Sequence, residues 1–281
     1  MTDLFAYLKE RPYPGRGILL GATPAGKAVC AYFIMGRSEN SRNRVFEKTD
    51  DGIRTRAWDE SKMTDPSLII YHPVRRMPDG TLIVTNGDQT DTVRDFLAQG
   101  KGWLEALCSR TFEPDEPNWT PRVSGLMQPC GSHLLSILKA QGGNPDCCER
   151  FFYTYDAATP GVGHFISTYE GFGSPLPSYH GEPVTAQVPD LDAPALARIC
   201  QFAENTYFGK PSGRLDQLTS AVGGVLFADF ADPTAPKIEK IHADGVLPEG
   251  MTLCVTDTRA SHSELTGEFA AIRNEMEAVA A

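Results

Sequence analysis

The chain has 281 residues, 41% of them hydrophobic and 22% charged, an ordinary globular composition with length enough to bury a real core. Its formal net charge of -10 at pH 7 argues against a nucleic-acid binder, because phosphate-backbone affinity needs a net basic face. A single phosphate in a local basic pocket stays open.

The N-terminal MTDLFAYLKERPYPGRG carries charges and prolines where a signal peptide would be apolar, and no apolar run reaches the roughly eighteen residues of a membrane span. A cytoplasmic protein with no membrane partner is expected. Seven cysteines, scattered and without CxxC spacing, read as reduced thiols acting as small buried hydrophobes. Six histidines never fall at HxxxH or HxH spacing, so no metal site is expected.

In chain order, Gly15–Ala22 and Val29–Met35 are short apolar runs joined by TPAGK and predict a β-hairpin. SLIIYHPVRR and TLIVTNG flank the turn MPDG and predict a second. DQTDTVRDFLAQG predicts a helix capped by Asp88 or Thr90 and ended at Gly100, and GWLEALCSR a shorter one. After the acidic, proline-rich TFEPDEPNWTPR, strands are expected in SHLLSILKA, RFFYTYD and GHFISTYE. DAPALARICQFAENTYF predicts a helix capped by Asp192 and packing through Leu196, Ile199 and Phe202 or Ala203. SAVGGVLFADF fits strand and helix equally. APKIEKIHADG and GMTLCVTDT predict edge strands, and SHSELTGEFAAIRNEMEAVA a helix with the capping box Ser261/Glu264. Its apolar stripe of Leu265, Phe269, Ile272, Met276 and Val279 suits docking onto the body or a dimer contact. Hairpins outnumber βα alternations, which predicts antiparallel sheets with helices outside, an α+β layered domain. No GxGxxG or GxxxxGK[ST] supports a nucleotide-binding βαβ fold.

Three constellations carry chemistry. In GRSENSRNR, Arg37, Arg42 and Arg44 stand among Gly36, Ser38, Asn40 and Asn43 at a strand end, where guanidinium forks and backbone N–H groups suit a phosphate. A solvated turn paired with surface acids is an equal reading. Arg16, Arg75 and Arg122 would join this patch if the hairpins share one sheet. Tyr71 ends the apolar run IIY, and Glu113 sits near Asp115 and Glu116, where like charge raises a carboxyl pKa toward general acid–base use. A core tyrosine and a solvated acidic loop are the plainer alternatives. TNGDQTDT runs from a strand into a capped helix, so Asn86, Asp88 and Thr90 surround free N–H groups suited to a carbonyl or anion. A capping turn explains them too. Nucleophilic catalysis fits less well: there is no GxSxG, and Thr2, exposed if Met1 is removed, precedes a charged segment instead of opening a core strand.

Together YPGRG (13 to 17), GRSENSRNR (36 to 44), IIYHPVR (69 to 75), VTNGDQTDT (84 to 92), FEPDEPNWTPR (112 to 122) and ISTYE (166 to 170) resemble the archaeal-type inosine monophosphate (IMP) cyclohydrolases and their bacterial relatives, over roughly residues 13 to 230. The resemblance implies an α+β fold, a four-layer αββα sandwich of the N-terminal-nucleophile hydrolase type without the nucleophile. It implies closure of 5-formamidoimidazole-4-carboxamide ribonucleotide to IMP with loss of water, a hydrolase-class reaction on the C–N bonds of cyclic amidines. It calls for no cofactor and no metal, for a purine ribonucleotide as partner, and for a homo-oligomer. The family's catalytic tyrosine and glutamate match Tyr71 and Glu113, and its arginine matches Arg42 or Arg44. Arg16, Arg37, Ser38, Asn40, Asn86, Asp88, Thr90 and Arg122 are the substrate-binding candidates. Residues 1–235 would form the cyclohydrolase-like domain and 236–281 a C-terminal extension packed on it. An amide hydrolase on the same fold and a non-catalytic purine nucleotide-binding protein are the competing readings.

Overall fold

A computed structural model describes residues 1–190, 192–207, 212–232, 235–241 and 266–280. The chain divides into two compact units, Met1–Asp190 and Leu191–Ala281. In the first, the elements run α1 (Leu4–Lys9), β1 (Arg16–Ala22), β2 (Ala28–Ile34), α2 (Glu39–Arg42), β3 (Arg44–Thr49), β4 (Gly52–Ala57), β5 (Val74–Arg76) and β6 (Leu82–Thr85). They continue with α3 (Gln89–Ala98), α4 (Trp103–Cys108), β7 (Arg122–Met127), β8 (His133–Gln141), β9 (Asn144–Tyr155), β10 (Val162–Ser167) and β11 (Val184–Gln187).

The TPAGK turn closes as its composition dictates, with Gly26 N–H donating to Thr23 O at 2.8 Å, and β1 pairs antiparallel with β2. On its other edge β1 pairs with β10, giving a four-stranded sheet of order β11-β10-β1-β2. The remaining strands form a seven-stranded antiparallel sheet in sequence order from β3 to β9. Period-2 alternation turns Ile18, Leu20 and Ile166 of the first sheet toward Val84, Val123, Leu135 and Ile137 of the second, and these form one buried cluster. On the opposite face of the larger sheet Ile83, Leu126 and Leu138 pack against Val93 of α3 and Trp103, Ala106 and Leu107 of α4. The expected layering of antiparallel sheets with helices outside is therefore present in this unit.

Several expectations need correction. SLIIYHPVRR is not one strand: pairing starts at Val74, and residues 67–73 are turn and loop. Pro66 and Pro73 lack N–H groups for a ladder. Thr55 substitutes for it, its N–H donating to Tyr71 O at 2.8 Å and its hydroxyl accepting from Tyr71 N–H at 2.9 Å. Residues 44–57, where pattern predicts no element, form the β3–β4 hairpin. β7 also escapes pattern, because all six of its residues are buried and no alternation is left to see. The cysteines are not fully buried at any of the six described positions; Cys254 lies outside the described residues.

The second unit holds α5 (Ala193–Tyr207), α6 (Leu215–Val222), β12 (Val225–Asp229), β13 (Lys237–Ile241) and α7 (Thr266–Ala280). Asp192 caps α5 as expected, accepting from Ala195 N–H at 2.7 Å. The expected packing face is wrong: Ala195 and Ala197 are buried, while Leu196, Ile199 and Phe202 are exposed. The ambiguous SAVGGVLFADF splits at its glycines into the end of α6 and β12, which pairs with β13. Ile272, Met276 and Val279 of α7 are exposed. The capping box Ser261/Glu264, Leu265 and the strand expected in GMTLCVTDT lie outside the described residues.

Candidate active site

The first turn of YPGRG fixes one wall. Gly15 adopts φ +75, and a Cβ there would stand 2.2 Å from Thr168 Oγ1, so only glycine lets the chain approach β10's end. Thr168 then holds Arg16 from both sides, its hydroxyl accepting from Arg16 N–H at 3.1 Å and its N–H donating to Arg16 O at 2.9 Å. Arg16 is 8% exposed, yet its guanidinium has no hydrogen-bond partner among the described residues, and Nε is wholly shielded.

The acidic loop supplies the second wall. Glu113 N–H donates to Thr120 O at 2.9 Å, and Asp115 accepts from Thr120 N–H, which closes residues 113–120 into a compact loop. The Thr120 hydroxyl also bonds the Tyr169 hydroxyl. Glu113 is 2% exposed, the opposite of a solvated acidic loop. Burial pushes its carboxyl up to about 7, against lowering by Arg16, Arg122 and Arg44. The like charge of Asp115, expected as the main cause, adds only a smaller rise.

Glu113 rests on a buried polar frame. Asn86 Nδ2 points at Glu113 Oε1 at 3.5 Å and donates to Pro121 O at 2.9 Å, while Asn86 Oδ1 accepts from Val123 N–H and Gln89 Nε2, both at 2.9 Å. Arg122 Nη1 donates to Gln89 Oε1 at 2.6 Å and pairs with Asp88 at 2.7 Å. A Cβ at Gly87 would lie 2.6 Å from that guanidinium nitrogen, so a side chain there would displace Arg122. Asp88 sits at the N-cap position of α3 without capping it; its carboxylate joins Arg122 and Arg110 instead. Thr90 is fully buried against Thr85, 2.6 Å between hydroxyls. Sequence reading passed over Gln89, whose helix-start position carries no burial signal.

Between these walls lies a cleft of about 270 Å³ lined by Arg16, Glu113, Arg37, Ser38, Asn40 and Tyr169 among others. Ser38 caps the one-turn α2, and Asn40 Nδ2 donates to Asp65 O at 3.1 Å, so the loop presents an exposed Arg37 that has no partner among the described residues. Arg42 turns its Nε to Gly36 O at 3.0 Å and is exposed. Arg44 is tethered by Nε to Ser41 O at 2.8 Å, and its Nη2 is buried without a partner. Burial lowers its pKa, and Tyr71, Arg16, Tyr32 and Glu113 all lie within its electrostatic reach. Tyr71 does not line the cleft; its hydroxyl meets that of Tyr32 at 2.8 Å, and burial raises the Tyr32 pKa well above its ordinary value. Tyr32 is a further member that its apolar run, VCAYFIM, conceals. Arg75 does not join: it pairs with Asp51 and Asp91. Thr2 pairs at a sheet edge, its N–H donating to Thr185 O at 2.9 Å. No group of three or more metal-ligating side chains occurs among the described residues.

A buried carboxyl near neutrality beside an unpartnered guanidinium can exchange a proton and stabilise an oxyanion in one small space. Comparison with known proteins covers the part of the chain that holds this cleft. The family model described as IMP cyclohydrolase-like protein matches residues 13–207, which holds every residue of this cleft and its frame. An IMP cyclohydrolase of Methanopyrus kandleri is 35% identical over 116 residues, 40% of this chain and 57% of the relative. One of Methanosphaera stadtmanae is 25% identical over 162 residues, 56% of this chain and 74% of the relative. A galactokinase of Streptomyces coelicolor is 44% identical over 77 residues, 26% of this chain and 19% of the kinase. The chain thus spans about a fifth of that kinase and just over half of the Methanopyrus kandleri relative. With about two thirds of its length matched, this chain belongs to the IMP cyclohydrolase-like protein family.

Proposed function

We propose that this protein is an IMP cyclohydrolase that closes the second ring of the purine from 5-formamidoimidazole-4-carboxamide ribonucleotide. The observation that carries the reading is Glu113, a 2% exposed carboxyl with a pKa of about 7 in the wall of a polar cleft. Family membership and the relatives named as IMP cyclohydrolases support it. The finer assignments belong to the same proposal: an αββα arrangement of the N-terminal-nucleophile hydrolase type, an action on the C–N bonds of cyclic amidines, a purine ribonucleotide substrate and a cytoplasmic homo-oligomer.

The reaction asks little covalent work of the protein. The carboxamide nitrogen bonds to the formyl carbon and gives up one of its two protons, while the formyl oxygen takes one. Loss of that hydroxyl with the formamido proton leaves a C=N bond and one water. Both reacting groups belong to one molecule, so most of the entropy of encounter is already spent. What remains is to turn the formyl group toward the amide, stabilise its oxygen and move protons. Glu113, half ionised near neutrality, accepts the amide proton and returns it to the formyl oxygen, making the hydroxyl that departs. Guanidinium donors beside it stabilise the oxygen, and Tyr71 contributes through its hydroxyl. Arg37, Ser38 and Asn40 on the exposed loop hold the phosphate.

The test is a spectrophotometric assay for IMP from the formamido substrate. The wild-type chain should form it, and Glu113→Gln should lower kcat by roughly 10² to 10⁴ with KM little changed. Tyr71→Phe should lower kcat less, by about tenfold or more. Absence of IMP with wild-type protein, or normal turnover in Glu113→Gln, would sink the reading.

A further inference from the structure

Two tyrosine hydroxyls bond each other, and neither has a second hydrogen-bond partner among the described residues. Tyr32 on β2 of the smaller sheet and Tyr71 in the loop before β5 of the larger one meet at 2.8 Å. Tyr71 is pinned through its backbone: its N–H donates to Thr55 Oγ1 at 2.9 Å, its carbonyl accepts from Thr55 N–H at 2.8 Å, and it is buried. Tyr32 packs against the core cluster between the two sheets and lies tilted on Phe46, with ring centroids 6.1 Å apart. With both rings held, the direction of each O–H is what the local structure leaves to be set. A bond between two hydroxyls uses one proton. If Tyr71 donates it, Tyr71 has only lone pairs left, which a carbonyl oxygen, itself an acceptor, cannot use. If Tyr32 donates it, Tyr71 keeps its own proton for another acceptor, and a hydroxyl that accepts one bond donates the next more strongly. Burial raises the Tyr32 pKa well above its ordinary value, so this hydroxyl keeps a proton to give. The pair lies within electrostatic reach of Arg16 and Arg44, whose guanidiniums only donate and so offer the Tyr71 proton no acceptor.

We infer that Tyr32 is a positioning residue for the ring closure: it donates into the Tyr71 hydroxyl oxygen and thereby turns the Tyr71 proton toward the formyl oxygen of the substrate. This rests on the cyclohydrolase reading and on the part Tyr71 takes in it. Tyr32 itself does not touch substrate, since its hydroxyl is taken up by Tyr71 and it stands outside the cleft lining. Attack by the carboxamide nitrogen moves the carbonyl π electrons onto the formyl oxygen, and the Tyr71 O–H, already aimed there, strengthens its bond as that charge grows. Both tyrosines keep their protons throughout, so the proton balance of the reaction is unchanged. Without Tyr32 the Tyr71 O–H is free to rotate away, and the loss falls on the transition state more than on binding.

A double-mutant cycle tests the assignment, with IMP formation measured in wild type, Tyr32→Phe, Tyr71→Phe and the double variant. Tyr32→Phe keeps the ring and its packing, so its melting temperature should stay within about a few degrees of wild type. The expected result is a kcat lowered by roughly three- to tenfold with KM within about twofold. In the Tyr71→Phe background the same change should cost nothing further, because Tyr32 has no hydroxyl left to orient. An equal fractional loss in both backgrounds would show Tyr32 acting independently of Tyr71, and wild-type turnover in Tyr32→Phe would show it idle. Either result overturns the inference and leaves the cyclohydrolase reading standing, as does a loss of turnover that follows a large fall in melting temperature, which would make Tyr32 a packing residue. Wild-type turnover in Tyr71→Phe would overturn the inference together with the role of Tyr71. No IMP from the wild-type chain would remove the reading itself and the inference with it, and the wild-type assay alone tells that case apart.

Discussion

Arg16 and Arg75 are equally buried, 8% and 9% exposed, and opposite in every other respect. Arg75 spends its whole fork: Nε on Asp91 at 2.5 Å, Nη1 on Asp51, and Nη2 toward His72 Nδ1 at 3.0 Å. Those bonds tie β5 and the β3–β4 turn to α3. Arg16 spends none of its fork and faces a cleft. The first arrangement returns to the guanidinium what water supplied, and stabilises. The second leaves it waiting, which a fold keeps only where something else gains from it. Partner count separates a structural arginine from a functional one where burial cannot.

The strongest way to break this comparison uses Glu113, the partner Arg16 lacks. Its folded pKa of about 7 lies above the ordinary 4.5, so between those values the native state holds more protons than the unfolded one. Stability should therefore fall as pH rises from about 4.5 to about 7, by on the order of 3 kcal/mol, and level off above. Denaturant melts across this range should show the slope in wild type and its loss in Glu113→Gln; a flat wild-type profile, with the His164 contribution below removed, would deny that Glu113 is held in strain.

Arg75→Met probes the satisfied side. Asp51 and Asp91 are 41% and 42% exposed, so water repairs part of the loss, and a destabilisation of about 2 kcal/mol is expected. A gain in stability would erase the contrast between the two arginines.

The smallest effect sharpens the picture at a third, half-buried group. His164 bonds His133 at 2.9 Å and stacks on Tyr155 with centroids 3.6 Å apart, and burial lowers its pKa to about 4, helped by His133. Here the neutral form is favoured, so stability should fall as pH drops from 6.5 toward about 4, by on the order of 1 kcal/mol given partial exposure. His164→Gln should remove that acid-side fall in the same melts; an unchanged slope would show that the pair does not titrate on unfolding.

The sequence made the β1–β2 hairpin, α3, α4 and the strands β8 to β10 legible, because each has a turn or cap at its end and a clean period along it. The β3–β4 hairpin and β7 were not: the first alternates with exposed Phe46 and Ile53, the second has no polar face at all. The residues gathered at the cleft were mostly legible as a set, since YPGRG, GRSENSRNR and FEPDEPNW each hold polar groups at the end of an apolar run. Tyr32 and Gln89 were not, because a hydrophobic run and a helix start give no sign of a partner distant in the chain.

What the sequence by itself determined is the inventory: antiparallel hairpins, helices outside, and a resemblance carried by motifs spaced along two thirds of the chain. Residue type alone did not rank Arg16, Arg42, Arg44, Arg75 and Arg122; the resemblance singled out Arg42 or Arg44 for catalysis and Arg16 and Arg122 for binding. Only the tertiary structure divided them, because a guanidinium's role depends on which acceptors the folded chain brings within about 3 Å, and those come from residues up to dozens of positions away. Burial raised Glu113 for the same reason: desolvation is a property of the surroundings, not of the acidic neighbours written beside it.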